Sequence, residues 1–255
     1  MDLKNKNIII TGASSGLGEE IAYQFSKKGA NLILLARRIE ELNRVKNKCL
    51  QYTNSVEVCS IDLSKIEEIE KFIQKVDEIG EIDILINNAG LSEMKYADEF
   101  TKDEIEYMFK VNTLNQIFLT TEIVKKMKRN KKGHIISVSS ILGKITTPFS
   151  SIYSATKFSL IGYYNALRME VKDYNIKVIT INPGFIATNI VEKEKEYASK
   201  YKGKFLTVEE VALSIINAIN KNKNEVNIPR SLSVISKIRS FIPNVIDNYL
   251  YKSFK

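Results

Sequence analysis

Tyr153 and Lys157 stand four residues apart in Ser151-Ile152-Tyr153-Ser154-Ala155-Thr156-Lys157. On a helix, side chains at that spacing share a face. A free tyrosine has a pKa of about 10 and is a poor acid–base group at neutral pH. A neighbouring ammonium stabilises the phenolate and lowers that value. Tyr153 can then exchange a proton with a substrate oxygen. Taken alone, Tyr-x-x-x-Lys is a common pattern of ordinary helix surface. Ser140, thirteen residues earlier, changes the balance. It follows the apolar run Ile135-Ile136-Ser137-Val138-Ser139, and a hydroxyl there can bond a carbonyl oxygen and position it. The three residues together point to proton transfer at a carbonyl or alcohol. Ser139 is the other candidate for that hydroxyl, but the spacing to Tyr153 favours Ser140.

A second group of residues points to a dinucleotide. Asn7 to Thr11 reads as a strand and runs into Thr11-Gly12-Ala13-Ser14-Ser15-Gly16-Leu17-Gly18, with a helical pattern after it. Between strand and helix, glycines let the backbone approach a pyrophosphate, and the helix N-terminus offers unpaired N–H groups. Gly12, Ser14, Ser15, Gly16, Leu17 and Gly18 are the candidate contacts. The next strand ends Leu34-Leu35-Ala36-Arg37-Arg38. An acidic residue near this point receives the ribose 2′-hydroxyl of NAD. Arg37 and Arg38 instead offer bidentate bonds to a 2′-phosphate, which favours NADP(H).

The elements that must carry these groups alternate along the chain. Candidate strands are 7–11, 31–36, 55–61, 82–87, 133–139, 177–182 and 225–228. Several are almost wholly apolar, as in Ile82-Asp83-Ile84-Leu85-Ile86, the pattern of strands covered on both faces. Helical periodicity covers the stretch from Gly16 to about Gly29, then 39–51, 64–79, 101–130, 152–173 and 207–221. Capping boxes open the last of these and the one at 101, at Thr207 to Glu210 and Thr101 to Glu104. The pattern predicts an α/β, Rossmann-like doubly wound domain spanning 1–255, with a seven-stranded, mostly parallel sheet, helices on both faces and the seventh strand on an edge.

The net charge of +8 comes largely from lysines interleaved with glutamates along helices, which reads as solvated surface rather than a nucleic-acid site. Cys49 and Cys59 form no metal or disulfide pattern, and His134 has no metal partners near it in sequence. No apolar run reaches the roughly 18 to 20 residues of a bilayer span. Nothing like a signal peptide precedes the first strand, so the expected location is cytoplasmic. The tail from about 229 to 255 is apolar and basic, with Asp247 its only acid. Such a segment packs on a substrate groove or a partner subunit, or lies on an anionic membrane, and the first two are preferred here.

In these motifs, their order and their spacing, the chain resembles the short-chain dehydrogenase/reductase family, in its compact single-domain branch. The resemblance runs from Asn7 to about Ile228. It implies a catalytic tetrad of Asn112, Ser140, Tyr153 and Lys157, in which Asn112 holds a water of a proton relay. It adds cofactor contacts at Asp62 and Leu63, at Asn88, Ala89 and Gly90 of the Asn-Asn-Ala-Gly segment, and at Pro183, Gly184, Ile186 and Thr188, besides Tyr153 and Lys157. It implies a hydride passing between NADP(H) and a carbonyl or alcohol of a small molecule. It implies a homodimer or homotetramer formed through the helices carrying Asn112 and Tyr153, and a substrate lid at about 185–206. A hydrophobic ketone or aldehyde is the expected substrate.

Overall fold

A computed structural model describes residues 1–187 and 205–253. The seven strands are β1 (Asn7–Thr11), β2 (Asn31–Ala36), β3 (Val56–Ser60), β4 (Ile84–Asn87), β5 (Gly133–Val138), β6 (Ile176–Pro183) and β7 (Glu225–Ile228). They form one sheet in the order β3-β2-β1-β4-β5-β6-β7. Every pairing is parallel, so "mostly parallel" becomes wholly parallel.

The intervening helices are α1 (Gly16–Ser26), α2 (Ile39–Cys49), α3 (Ile66–Ile79), α4 (Lys102–Phe109), α5 (Asn115–Asn130), α6 (Ser151–Glu170) and α7 (Val208–Asn220). Alternation along β1 assigns its side chains to two cores. Ile8 and Ile10 face Phe25 of α1 and Ile215 of α7, while Ile9 faces the layer of α3, α5 and α6 with Phe72, Leu119 and Tyr164. All three isoleucines are fully buried, each contributing about 1.5–3 kcal/mol of apolar burial. A strand with both faces covered in this way must be apolar throughout, which is why its sequence shows no polar alternation.

The strand order reverses between β1 and β4, and there the loops at the C-terminal ends separate and leave a crevice. Most expected elements are present within one or two residues of their ends. The expected single helix over 101–130 is not. A π-turn, Lys110–Leu114, separates α4 from α5. One wider turn in an otherwise helical stretch leaves the apolar pattern intact and redirects the residues it carries, Asn112 among them. Thr101 and Thr207 cap α4 and α7 as the capping boxes predicted. The tail forms two helices, α8 (Arg230–Arg239) and α9 (Pro243–Ser253).

Candidate active site

The crevice holds a cavity of about 290 Å³. One side is the Gly-rich turn between β1 and α1, lined by Gly12, Ser15, Gly16, Leu17 and Gly18. Gly12 has φ +68°, and a Cβ there would lie 2.8 Å from the Ala89 Cα. At Gly18 a Cβ would lie 2.1 Å from the Gly12 carbonyl oxygen. These two positions therefore need glycine to let the turn close on β4. The closure is fixed by Thr11, whose hydroxyl accepts from the N–H groups of Asn88 (3.0 Å) and Ala89 (2.9 Å). The Asn88 side-chain amide donates to the Thr11 carbonyl at 3.0 Å. In the sequence Thr11 is only the residue where the strand meets the turn. Its partners lie 77 and 78 positions away, and no local signal marks them.

Arg38 donates from one guanidinium nitrogen to the hydroxyls of Ser14 (3.1 Å) and Ser15 (2.8 Å). The neighbouring Arg37 turns away and donates to the Tyr107 hydroxyl at 3.0 Å. Asp62 is half-buried at the end of β3, outside the cavity lining, and its carboxylate accepts from the Ser64 N–H at 2.9 Å. Burial acts to raise its pKa. The hydrogen bonds from Ser64 and the charges of Arg37 and Lys65 outweigh burial, and the carboxyl is held below its ordinary value. Leu63 is buried beside it, its carbonyl accepting from the Asn115 amide at 2.7 Å. Asn88, Ala89, Gly90, Pro183, Gly184 and Ile186 all line the cavity. Thr188 and nearly all of the expected lid at 185–206 lie outside the described residues.

The other side of the cavity carries Ser140, Tyr153 and Lys157. Ser140 sits just beyond β5, and its hydroxyl accepts from the Leu142 N–H at 3.1 Å. Ser139, the alternative serine, is buried and directs its hydroxyl at the Lys157 carbonyl (3.4 Å). Tyr153 lies in the first turn of α6 and Lys157 one turn on, its ammonium 5.5 Å from the centre of the Tyr153 ring. Lys157 is only 3% exposed. Burial pulls its pKa down from 10.5 to about 8, and among the described residues it has no carboxylate partner.

Asn112 does not line the cavity. Its amide is clamped to Leu91, accepting from the Leu91 N–H and donating to the Leu91 carbonyl, both at 2.8 Å. It also donates to the Thr156 hydroxyl at 3.2 Å, and the Thr113 hydroxyl donates to the Thr156 carbonyl at 3.2 Å, tying the π-turn to α6. A Cβ placed on Gly90 would be 3.4 Å from both the Asn112 side-chain oxygen and the Lys157 nitrogen. The four tetrad positions therefore converge on one end of the crevice. Between the two sides the wall is apolar, with Leu91, Met94, Ile141, Leu142 and Phe185. Phe185 begins the expected lid, whereas Leu91, Met94, Ile141 and Leu142 carry no marked signal in the sequence. Their only cue is position, after the Asn-Asn-Ala-Gly segment and Ser140.

His134 is set mostly into the lower edge of the sheet, where burial and the charge of Lys177 push its pKa down to about 4. Cys49 is buried and Cys59 half-buried, and both thiols are free.

Three comparisons bear on this arrangement. The sequence pattern of the family described as short chain dehydrogenase matches residues 6–199. Human dehydrogenase/reductase SDR family member 7 is 41% identical over 197 residues, 75% of this chain but only 58% of that protein's length. An Arabidopsis thaliana 11-beta-hydroxysteroid dehydrogenase-like 2 is 30% identical over 99% of this chain and 84% of its own. Among solved structures, an alcohol dehydrogenase from the archaeon Thermococcus sibiricus, complexed with 5-hydroxy-NADP, superposes with a TM-score of 0.76 at 26% identity, covering 88% of this chain and 96% of that one. A parallel sheet in this order, a glycine turn at its switch point and a tyrosine–lysine turn with a buried lysine beside it agree with those matches: the chain belongs to the short-chain dehydrogenase/reductase family of oxidoreductases.

Proposed function

We propose that this chain is an NADP(H)-dependent oxidoreductase that interconverts a hydrophobic ketone or aldehyde and its alcohol, with reduction the working direction. The observation that carries this reading is Lys157. Its ammonium is buried, lacks a carboxylate among the described residues and lies against the Tyr153 ring in the cavity that the Gly-rich turn closes.

The residues present suit a phosphorylated dinucleotide. The turn presents the N-terminus of α1 to the cavity, a site for pyrophosphate oxygens. Arg38, drawn to Ser14 and Ser15, places a guanidinium and two hydroxyls where a 2′-phosphate would be recognised. Among the described residues Arg38 makes no ion pair, and the Asp62 carboxylate is engaged by the Ser64 N–H. The relative solved with 5-hydroxy-NADP supports the same choice. When bound, the nicotinamide supplies or accepts the hydride.

The chain's own residues handle the oxygen of the substrate. The Ser140 hydroxyl accepts from Leu142, which leaves its proton to donate to a carbonyl oxygen. Tyr153 delivers the proton that turns that oxygen into a hydroxyl. The uncompensated ammonium of Lys157 favours the phenolate left behind. Asn112 acts through position: Leu91 and Thr156 fix its amide beside Gly90, on the side that the Lys157 ammonium also approaches. Leu91, Met94, Ile141 and Leu142 exclude water and select an apolar carbonyl. The name of the Arabidopsis relative supports that substrate class.

A cytoplasmic homodimer or homotetramer accompanies this reading. The exposed Tyr107, Leu114, Phe158 and Met169 on α4, α6 and the π-turn support an assembly surface there. The test is consumption of NADPH and NADH by purified protein against carbonyls from short ketones to long-chain and cyclic ones. Consumption with NADPH should rise with the apolar size of the substrate and be abolished by Tyr153→Phe, with NADPH binding retained. Comparable turnover in that variant would remove Tyr153 from its role, and equal use of NADH would remove the cofactor assignment.

A further inference from the structure

α8 and α9 form a hairpin whose two faces differ. They pack on each other, and Arg239 holds Asp247 through two bonds of 2.6 and 3.1 Å. The inner face packs behind the apolar wall of the crevice. Leu232 approaches Gly184, and Ile246 and Leu250 pack with Met94, Ile141 and Leu142 of the cavity wall. The groove-packing reading of the tail accounts for this face and for no other.

The outer face is apolar and uncovered. Val234 and Ile238 are one turn apart on α8, Val245 and Tyr249 one turn apart on α9, and each pair therefore shares a face. Phe241 and Ile242 fill the turn between the helices. Phe241 is 85% exposed, and Val245 and Tyr249 are each 60% exposed. Apolar side chains gathered in this way mark an interaction surface.

We infer that this outer face docks on the surface of an anionic lipid bilayer. Charge decides the occupant. Asp247 is the only acid from 229 to 255, and Arg239 neutralises it. Among the described residues Arg230, Lys237 and Lys252 have no ion pair, and they flank the apolar ladder as cations flank an interfacial helix. None of the described helices is long and apolar enough to cross a membrane, so contact is at the surface. A second copy of the chain fits less well, because it would bring these cations against their own counterparts. The exposed apolar surface on α4 and α6 already offers a separate place for self-association. Since the inner face of the same hairpin backs the apolar wall of the cavity, a docked hairpin would hold that wall close to the lipid.

The test is co-sedimentation of the full chain with phosphatidylcholine vesicles, with and without phosphatidylserine. The protein should partition onto the phosphatidylserine vesicles and be released by salt. The Phe241→Ser/Val245→Ser variant should lose about tenfold or more of that partition, because it strips two large apolar groups from the contact. Lys237→Glu should weaken binding only where phosphatidylserine is present. Melting temperature and sedimentation velocity confirm that each variant is folded. No partition of the wild-type chain, or unchanged partition of the double variant, overturns the inference. So does a double variant that sediments as a smaller species while the wild type ignores vesicles, since a second copy then covers the face. NADPH-linked turnover of a short soluble ketone reports on the proposed reaction separately and does not depend on the vesicle result.

Discussion

Replacing Lys157 by methionine should make the ligand-free protein more stable at pH 7, although it removes a residue of the reaction centre. The Lys157 ammonium is 3% exposed, has no carboxylate partner among the described residues, and has its pKa brought from 10.5 to about 8 by burial. The gap between those values corresponds to about 3 kcal/mol by which folding disfavours the charged form. Methionine keeps an unbranched stem of similar length without the charge. Most of that cost should therefore disappear, and at pH 7 the variant should be more stable by about 2–3 kcal/mol once imperfect packing is allowed for.

The pH dependence separates this cause from any other. In the folded protein Lys157 releases its proton near pH 8, whereas in the unfolded chain it holds it to about 10.5. Between those values the unfolded state binds more protons, so stability rises with pH. Below pH 8 the cost is fully present. By pH 10 most of it has been recovered. Urea unfolding of wild type and Lys157→Met at pH 7 and pH 10 should therefore show the variant's advantage shrinking to well under about 1 kcal/mol. Taking the difference between the two proteins cancels the tyrosines and cysteines that titrate in the same window. An advantage of equal size at both pH values, or a variant less stable at pH 7, would refute the picture of an uncompensated buried ammonium. The interpretation of Tyr153 as its beneficiary would fall with it.

Two further substitutions test the cofactor side. Gly18→Ala places a Cβ 2.1 Å from the Gly12 carbonyl oxygen and 2.6 Å from the Asn88 amide, so the turn must open. It should cost about 2 kcal/mol or more in a thermal melt and weaken NADPH binding followed by fluorescence, and a stable variant that binds normally would contradict the close approach. Arg38→Ala should weaken NADPH relative to NADH by about tenfold to a hundredfold, the worth of one or two hydrogen bonds to a charged group. Arg37→Ala should do much less, because its guanidinium is committed to Tyr107, and the reverse ranking would exchange the two assignments.

The central strands could be read from the sequence because they are buried on both faces, so runs such as Ile8-Ile9-Ile10 and Ile84-Leu85-Ile86 tolerate no polar interruption. The glycine turn and the tyrosine–lysine pair could be read because their chemistry is local, within eight residues and one helical turn respectively. What could not be read depends on contacts across the fold. Arg37 and Arg38 are adjacent and chemically equal, and only the hand-over from β2 to α2 decides which one reaches Ser14 and Ser15. The π-turn at Asn112 contains neither proline nor glycine, and its apolar neighbours continue the helical period without a break. The extra residue is visible only through the Leu91 backbone that clamps the Asn112 amide.

The places where local rules fail gather at one point. A buried ammonium without a counter-ion among the described residues, a π-turn inside a helix and a glycine turn with positive φ all lie around the reversal of strand order between β1 and β4. Each is unfavourable by itself: the ammonium through desolvation, the π-turn through its hydrogen bonding, the glycines through lost backbone entropy. None would persist on a yielding support. The support is the Thr11 hydroxyl holding Asn88 and Ala89, the Asn112 amide holding Leu91, and Thr156 tying the π-turn to α6. The first two of these contacts hold one short segment, from Asn88 to Leu91, which joins the cofactor side of the crevice to its proton-transfer side. A loosened Thr11 contact would therefore be felt at Lys157 as well as at the glycine turn, because both lean on the same four residues.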